Sequence, residues 1–192
     1  MSLSPIRVAG ISGSLRRGSL NSAALRAAQA LAPEGMTIEI AEIGDMPHYN
    51  EDLRAGGYPA PVERFRAQLA AADAILFVTP EYNYSIPGVL KNAIDWGSRP
   101  PEQPFNDKPV AIMGASGGLL GTARAQYQLR QMLVFLNAHP INKPEVMIGQ
   151  APSKFDEAGN LTDETTKKFI GDLLTSLAAW TRRLKAPAMA AE

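Results

Sequence analysis

Cysteine is absent from the 192 residues, and only two histidines, His48 and His139, are present. The first absence excludes disulfides, thiolate catalysis, Fe–S clusters and cysteine-based zinc sites. The second leaves no dense histidine motif for a metal ion. Long apolar runs are missing too: the longest reach only about six residues, against the ~20 that a membrane-spanning helix needs. An excess of charge is also lacking, since 19 Lys and Arg balance 19 Asp and Glu. No basic face of the kind that nucleic acid demands is therefore expected. The segment Met1 to Arg7 has no basic stretch followed by an apolar core, so no secretory leader is expected. What remains is a soluble, cytoplasmic protein with no nucleic-acid or membrane partner. Its length and its 45 % apolar content suit one domain, residues 1–192, around a core that needs no covalent staple.

What is there alternates in a regular way. Ile6 to Ile11 is a short apolar run that ends in Gly and Ser and reads as a buried strand. Residues 20–32 are rich in Ala and Leu with no breaker before Pro33, which predicts a helix. Met36 to Ile43 alternates apolar and polar residues as a half-covered strand does, and Gly44 to Pro61 reads as loop. Val62, Phe65, Leu69 and Ala72 recur at helical spacing before Ala74 to Thr79, an apolar strand stopped by Pro80. Pro87 suits the first turn of a helix with Val89, Leu90, Ala93 and Ile94 on its apolar face. A strand at Pro109 to Ala115, a helix over 120–137 (Leu129, Met132, Leu133 and Leu136 inward) and a strand at Pro144 to Ile148 follow. A closing helix over 163–184 places Phe169, Leu173, Leu177 and Leu184 on one side. Strands that alternate with helices pair in parallel through crossovers, and crossovers cover both faces of the sheet. The expected fold is a doubly wound α/β three-layer sandwich of the flavodoxin-like type, with a five-stranded parallel sheet in the order 2-1-3-4-5.

Ligands in such sheets bind beyond the carboxyl ends of the strands, so the segments after strands one, three and four matter most. After strand one, Ser12 to Ser22 crowds four serines, Asn21, two glycines and the pair Arg16–Arg17 ahead of a helix. A helix N-terminus with free N–H groups favours an anion, and an arginine adds a charge-assisted contact to phosphate. The plainer alternative is that Ser19 or Asn21 only caps the helix. No lysine completes a Walker A pattern, and Gly10, Gly13 and Gly18 have the wrong spacing for a dinucleotide fingerprint. After strand three, Pro80 to Gly88 holds Tyr82, Asn83 and Tyr84 between two prolines, a segment able to lay backbone groups along a flat heterocycle. After strand four, Ser116-Gly117-Gly118 offers backbone that a flat ligand can approach. A phosphorylated flat ring, flavin mononucleotide (FMN), fits the three loops better than a sugar phosphate.

These residues are similar to a known family. Gly13-Ser14-Leu15-Arg16 with Ser19 and Asn21, then Thr79-Pro80-Glu81-Tyr82-Asn83, Pro87-Gly88, Leu90-Lys91-Asn92 and Asp95-Trp96, resemble the NAD(P)H-dependent FMN reductases, most nearly their bacterial chromate/quinone reductase branch. The resemblance covers about residues 6–135. It implies that Ser14, Arg16, Ser19 and Asn21 hold the FMN phosphate. It implies that Pro80, Glu81, Tyr82 and Asn83 line the isoalloxazine, mostly through backbone groups, and that Ser116, Gly117 and Gly118 lie at its pyrimidine end. It further implies NADPH or NADH as co-substrate, a homodimer or homotetramer, and an acceptor among quinones, chromate, azo dyes, ferric chelates and free flavin.

On that reading hydride passes from the nicotinamide to FMN and two electrons pass on to an acceptor, with no side-chain nucleophile or dedicated acid–base group. Gly117 and Gly118, taken as the opening of a helix, are expected to stabilise the anionic reduced ring. The Glu81 carboxylate is not expected to act as a base, and His48 is expected at the surface. His139 is expected to be structural, and Trp96 to serve core or subunit packing. Tyr84, Trp96 and the segment Arg99 to Pro104 suggest self-association. Two alternatives stand beside this reading. A flavodoxin-type electron carrier is disfavoured by zero net charge. A phosphate-binding hydrolase or transferase would have only Asp45 near the required edge.

Overall fold

A computed structural model describes residues 4–186. Met1 to Leu3, part of the segment read for a leader, lie outside the described residues. Strands β1 (Ile6–Ser12), β2 (Met36–Ile40), β3 (Ala74–Val78), β4 (Pro109–Ala115), β5 (His139–Pro140) and β6 (Val146–Ile148) form one sheet. Its order is β2-β1-β3-β4-β5, every pair is parallel, and β6 also pairs with β4. This is the expected flavodoxin-like α/β sandwich, with one correction. The fifth strand is two pieces: β5 meets Pro109 and Val110 at one end of β4, and β6 meets Met113 to Ala115 at the other. His139 thus lies in a strand, where its N–H donates to the Lys108 carbonyl and its ring meets Asp107.

Helices α1 (Leu20–Ala30) and α6 (Glu164–Lys185) cover one face, and α3 (Ala60–Ala71), α4 (Gly88–Gly97) and α5 (Ala123–Phe135) cover the other. β3 and β4 are buried along their whole length, which is why their sequence is continuously apolar rather than alternating. Three further expectations are corrected. β2 stops at Ile40, although Ala41 donates one more bond to Gly10 and Ile43 remains buried. In α6 the buried stripe is Ile170, Leu173, Leu174 and Leu177, while Phe169 and Leu184 are exposed. Phe169 lies about 100° round the helix from Ile170 and so leaves the stripe.

The third correction concerns residues 44–61, which contain a short helix, α2 (Glu51–Ala55), and the start of α3. Asn50 caps α2 by accepting from the Asp52 N–H at 2.9 Å. The segment is tied to α4: Asn92 accepts from the Tyr49 N–H and donates to the Pro47 carbonyl, which also receives the Trp96 indole. Trp96 is therefore fully buried in the core and leaves no surface for self-association.

Gly114 marks the tightest point of the sheet near its carboxyl edge. A Cβ there would collide with the Thr79 carbonyl and the Thr122 hydroxyl. Gly114→Ala is expected to destabilise by about 3 kcal/mol or more, since backbone cannot yield as a side chain does. Gly171→Ala, on α6 with nothing near the added carbon, is expected to stabilise by roughly 0.5–1 kcal/mol. Urea titration of both variants checks the pair.

Candidate functional site

β1, β3 and β4 end side by side, so the loops that follow them share one edge. The first loop turns because Gly13 donates to the Val78 carbonyl at 2.8 Å, and the Ser19 N–H then closes back onto the Arg16 carbonyl at 3.0 Å. Ser19 is the N-cap of α1: its hydroxyl accepts from the N–H groups of Asn21 and Ser22, each at 3.2 Å. Ser14 is half-buried, and its hydroxyl accepts from the Arg16 N–H at 3.4 Å. Among the described residues, the N–H groups of Leu15, Arg17 and Gly18 meet no protein acceptor. Arg16 and Arg17 are exposed, and neither forms an ion pair among the described residues. An open run of donors, the positive end of α1 and two arginines make a cradle suited to a phosphate.

Asn21 is placed differently from the reading that gave it to the phosphate. It is buried, and its carboxamide reaches across to β4, donating to the Ala115 carbonyl at 2.9 Å and accepting from the Ala115 N–H at 2.8 Å. Both amide atoms are thereby committed to backbone. Asn21 fixes the first helix against the fourth strand and so positions the cradle.

The second loop is a two-residue hairpin turn. Tyr82 and Ser85 exchange two backbone bonds at 2.9 Å, and Asn83 and Tyr84 between them have φ of 51° and 64°. Tyr82, Asn83 and Tyr84 are exposed, whereas Pro80 is buried. The Asn83 and Tyr84 N–H groups find no protein acceptor among the described residues. The Glu81 carboxylate is turned inward: it accepts from the N–H groups of Arg124 and Ala125 at 3.0 and 3.1 Å and from the Arg124 guanidinium at 2.7 Å. Burial alone would raise its pKa, but Arg124 and the two N–H groups outweigh burial and hold it below the usual carboxylate value.

The third loop is braced from within. The Ser116 hydroxyl donates to the Gly121 carbonyl at 2.7 Å and accepts from the Gly118 N–H at 3.2 Å. Gly117 and Gly118 are exposed, and nothing lies within 4 Å of a Cβ built on Gly117, so a flat ligand meets bare backbone there. One expectation fails: these glycines do not open a helix. α5 begins at Ala123, and its first N–H groups are already occupied by Glu81.

Arg124 joins this edge without any signal in the sequence, because its partners Glu81 and Tyr84 lie far away along the chain and share no local pattern with it. Asp45, the carboxylate near the right edge, pairs with Arg64 at 2.5 Å. His48 is exposed.

Fold and edge together define a doubly wound protein whose strand-end loops present unused backbone N–H donors beside exposed glycine backbone. The chain belongs to the NADPH-dependent FMN reductase family, whose model matches residues 6–153, and it is an oxidoreductase. It is 63 % identical to an NAD(P)H-dependent FMN reductase of Pseudomonas aeruginosa, over 94 % of this chain and 97 % of that one. It is 44 % identical to a quinone reductase of Escherichia coli, over 94 % and 97 % of the two chains. Among solved structures, the flavoenzyme NAD(P)H:(acceptor) oxidoreductase FerB of Paracoccus denitrificans superposes with a TM-score of 0.84 at 38 % identity, covering 93 % of this chain and 98 % of that one.

Asn21→Ala would leave the buried N–H and C=O of Ala115 unpaired. The expected cost is about 3 kcal/mol, read by chemical denaturation of the flavin-free protein.

Proposed function

We propose that this chain is an FMN-dependent NAD(P)H oxidoreductase that reduces quinones and similar acceptors. The observation that carries the proposal is the meeting, at one sheet edge, of a cradle of N–H donors that the protein does not use with a hairpin turn and a glycine loop that expose backbone. The residues present fit FMN, since donors unused by the protein stand at the cradle and open space stands over Gly117.

The Leu15, Arg17 and Gly18 N–H groups, with Arg16 and the Ser14 hydroxyl, would hold the phosphate. The Asn83 and Tyr84 N–H groups would meet the polar edge of the ring, and Gly117 would let the ring approach without side-chain interference. When bound, FMN supplies the redox chemistry, taking two electrons from a reduced nicotinamide and passing them to an acceptor. The protein positions and shields. Glu81, committed to α5, leaves no free carboxylate in the second loop to act as a base. The exposed rings of Tyr82 and Tyr84 form an aromatic rim that suits flat acceptors without selecting one of them.

Purification should yield a yellow protein, or a colourless one that turns yellow with added FMN. It should oxidise NADPH or NADH severalfold faster when benzoquinone is present. A yellow protein that oxidises neither nucleotide with any quinone would be a carrier, and a colourless one that never takes up FMN would end the proposal. Parallel rates with chromate, an azo dye, a ferric chelate and free flavin rank the acceptors.

A homodimer or larger assembly belongs to the same reading. Tyr127, Val134 and Phe135 share the outer face of α5, and the last two are 78 % and 85 % exposed. A solvated apolar stripe of this kind favours burial against another copy. Sedimentation at micromolar concentration is expected to show a species at least twice 20.6 kDa; a lone monomer would refute it.

A further inference from the structure

The β3–α4 turn holds a tyrosine in left-handed backbone, a conformation that bulky residues adopt only when their surroundings impose it. The turn's own Tyr82–Ser85 bonds call for that backbone at both central residues, and two ties outside the turn, both running through one side chain, hold it in place. The Glu81 carboxylate caps α5, whose own N-cap residue, Thr122, makes no side-chain capping bond. The same carboxylate grips the Arg124 guanidinium, whose centre stands 3.9 Å from the centroid of the Tyr84 ring. Glu81 is almost entirely enclosed, with 9 % of its side chain exposed.

We propose that Glu81 is a positioning residue for the flavin. By holding Arg124 against Tyr84, it sets the turn whose Asn83 and Tyr84 N–H groups face the ring. This rests on the FMN reading of the edge and adds to it a role for a carboxylate that touches no ligand. Arg124 belongs to α5, so the geometry of the ring site is set by the register between the β3 end and a helix on the sheet's other connection. The turn's conformation then depends on a salt bridge between segments 43 residues apart.

Glu81→Gln separates this role from simple capping. A glutamine keeps an oxygen for the two α5 N–H groups, but its amide nitrogen, a donor, faces Arg124 in place of an acceptor. Arg124→Ala removes the stack and spares both backbone bonds to Glu81. Flavin-free wild type and each variant are titrated with FMN and with riboflavin, which has the same ring and no phosphate, by quenching of flavin fluorescence. Melting of each flavin-free protein is recorded alongside.

Glu81→Gln is expected to raise both dissociation constants by the same factor, about tenfold, and Arg124→Ala to raise both by about fivefold. Arg16→Ala, at the phosphate cradle, is expected to weaken FMN and leave riboflavin unchanged. Variants with lowered melting temperatures and wild-type affinities would reduce Glu81 to a helix cap and overturn the proposal. If Glu81→Gln does not fold, Arg124→Ala decides by the same comparison. A wild type that binds neither flavin would instead overturn the FMN reading itself, an outcome distinct from indifferent variants on a protein that binds.

Discussion

Asn21 spans the gap between α1 and β4 with two hydrogen bonds to one residue, Ala115. The rest of the carboxyl edge depends on that bridge. β4 extends beyond β3, whose last ladder partner on it is Met113, so the final backbone groups of β4 have no strand on that side. Left unpaired in a buried position they would destabilise the strand end. The Asn21 carboxamide satisfies them, and it also fixes where the first loop stands relative to the third. Two loops from different parts of the chain thus acquire a common frame from the protein's own hydrogen bonds. Glu81 does the same for the second and third connections.

This arrangement explains why residues that read as ligand-binding in the sequence do two kinds of work. Ser19, Asn21, Glu81 and Ser116 use their side chains on the protein's own backbone. Backbone N–H groups left over by that bracing are what the edge offers outward. The division has a physical reason: a side chain that orders a loop holds several backbone groups in place at once, whereas one aimed at a ligand contributes a single contact. Preorganised backbone donors also cost no side-chain entropy when the ligand binds.

The fold was legible because its signals are local or periodic. Apolar runs at 75–78 and 110–113 mark strands covered on both faces, and the alternation of strand and helix sets the parallel topology. The split fifth strand was not legible, since a two-residue strand such as His139–Pro140 carries no periodicity. The short α2 is masked in the sequence although Asn50-Glu51-Asp52 carries a capping signal, because Gly and Pro dominate the surrounding stretch. At the site, the three loops could be located from strand ends alone. The partners of Asn21 and Glu81 could not, because a contact across 94 or 43 residues leaves no trace in spacing. The expected helix start at Gly117 failed for a related reason: Gly121, with φ of 58°, and the braced turn around it delay helix formation to Ala123.

The same bracing bears on what the edge discriminates. Recognition of an acceptor by charge at the hairpin turn would need ionisable side chains free to meet it there, yet Glu81 and Arg124 are spent on each other and Asp45 on Arg64, while the exposed Arg16 and Arg17 stand at the first loop. The rim that remains beside the hairpin turn is aromatic, in Tyr82 and Tyr84, with Leu119 and Leu120 exposed on the third loop. Such a surface gains by covering flat apolar area and is indifferent to where an acceptor carries its polar atoms. On the proposed function, discrimination between acceptors would then fall to shape and to intrinsic redox potential, neither of which is encoded by a single residue. A breadth of acceptors would, on the same reading, follow from the way the loops are held, because Glu81 and Arg124 are used to brace the second loop against α5.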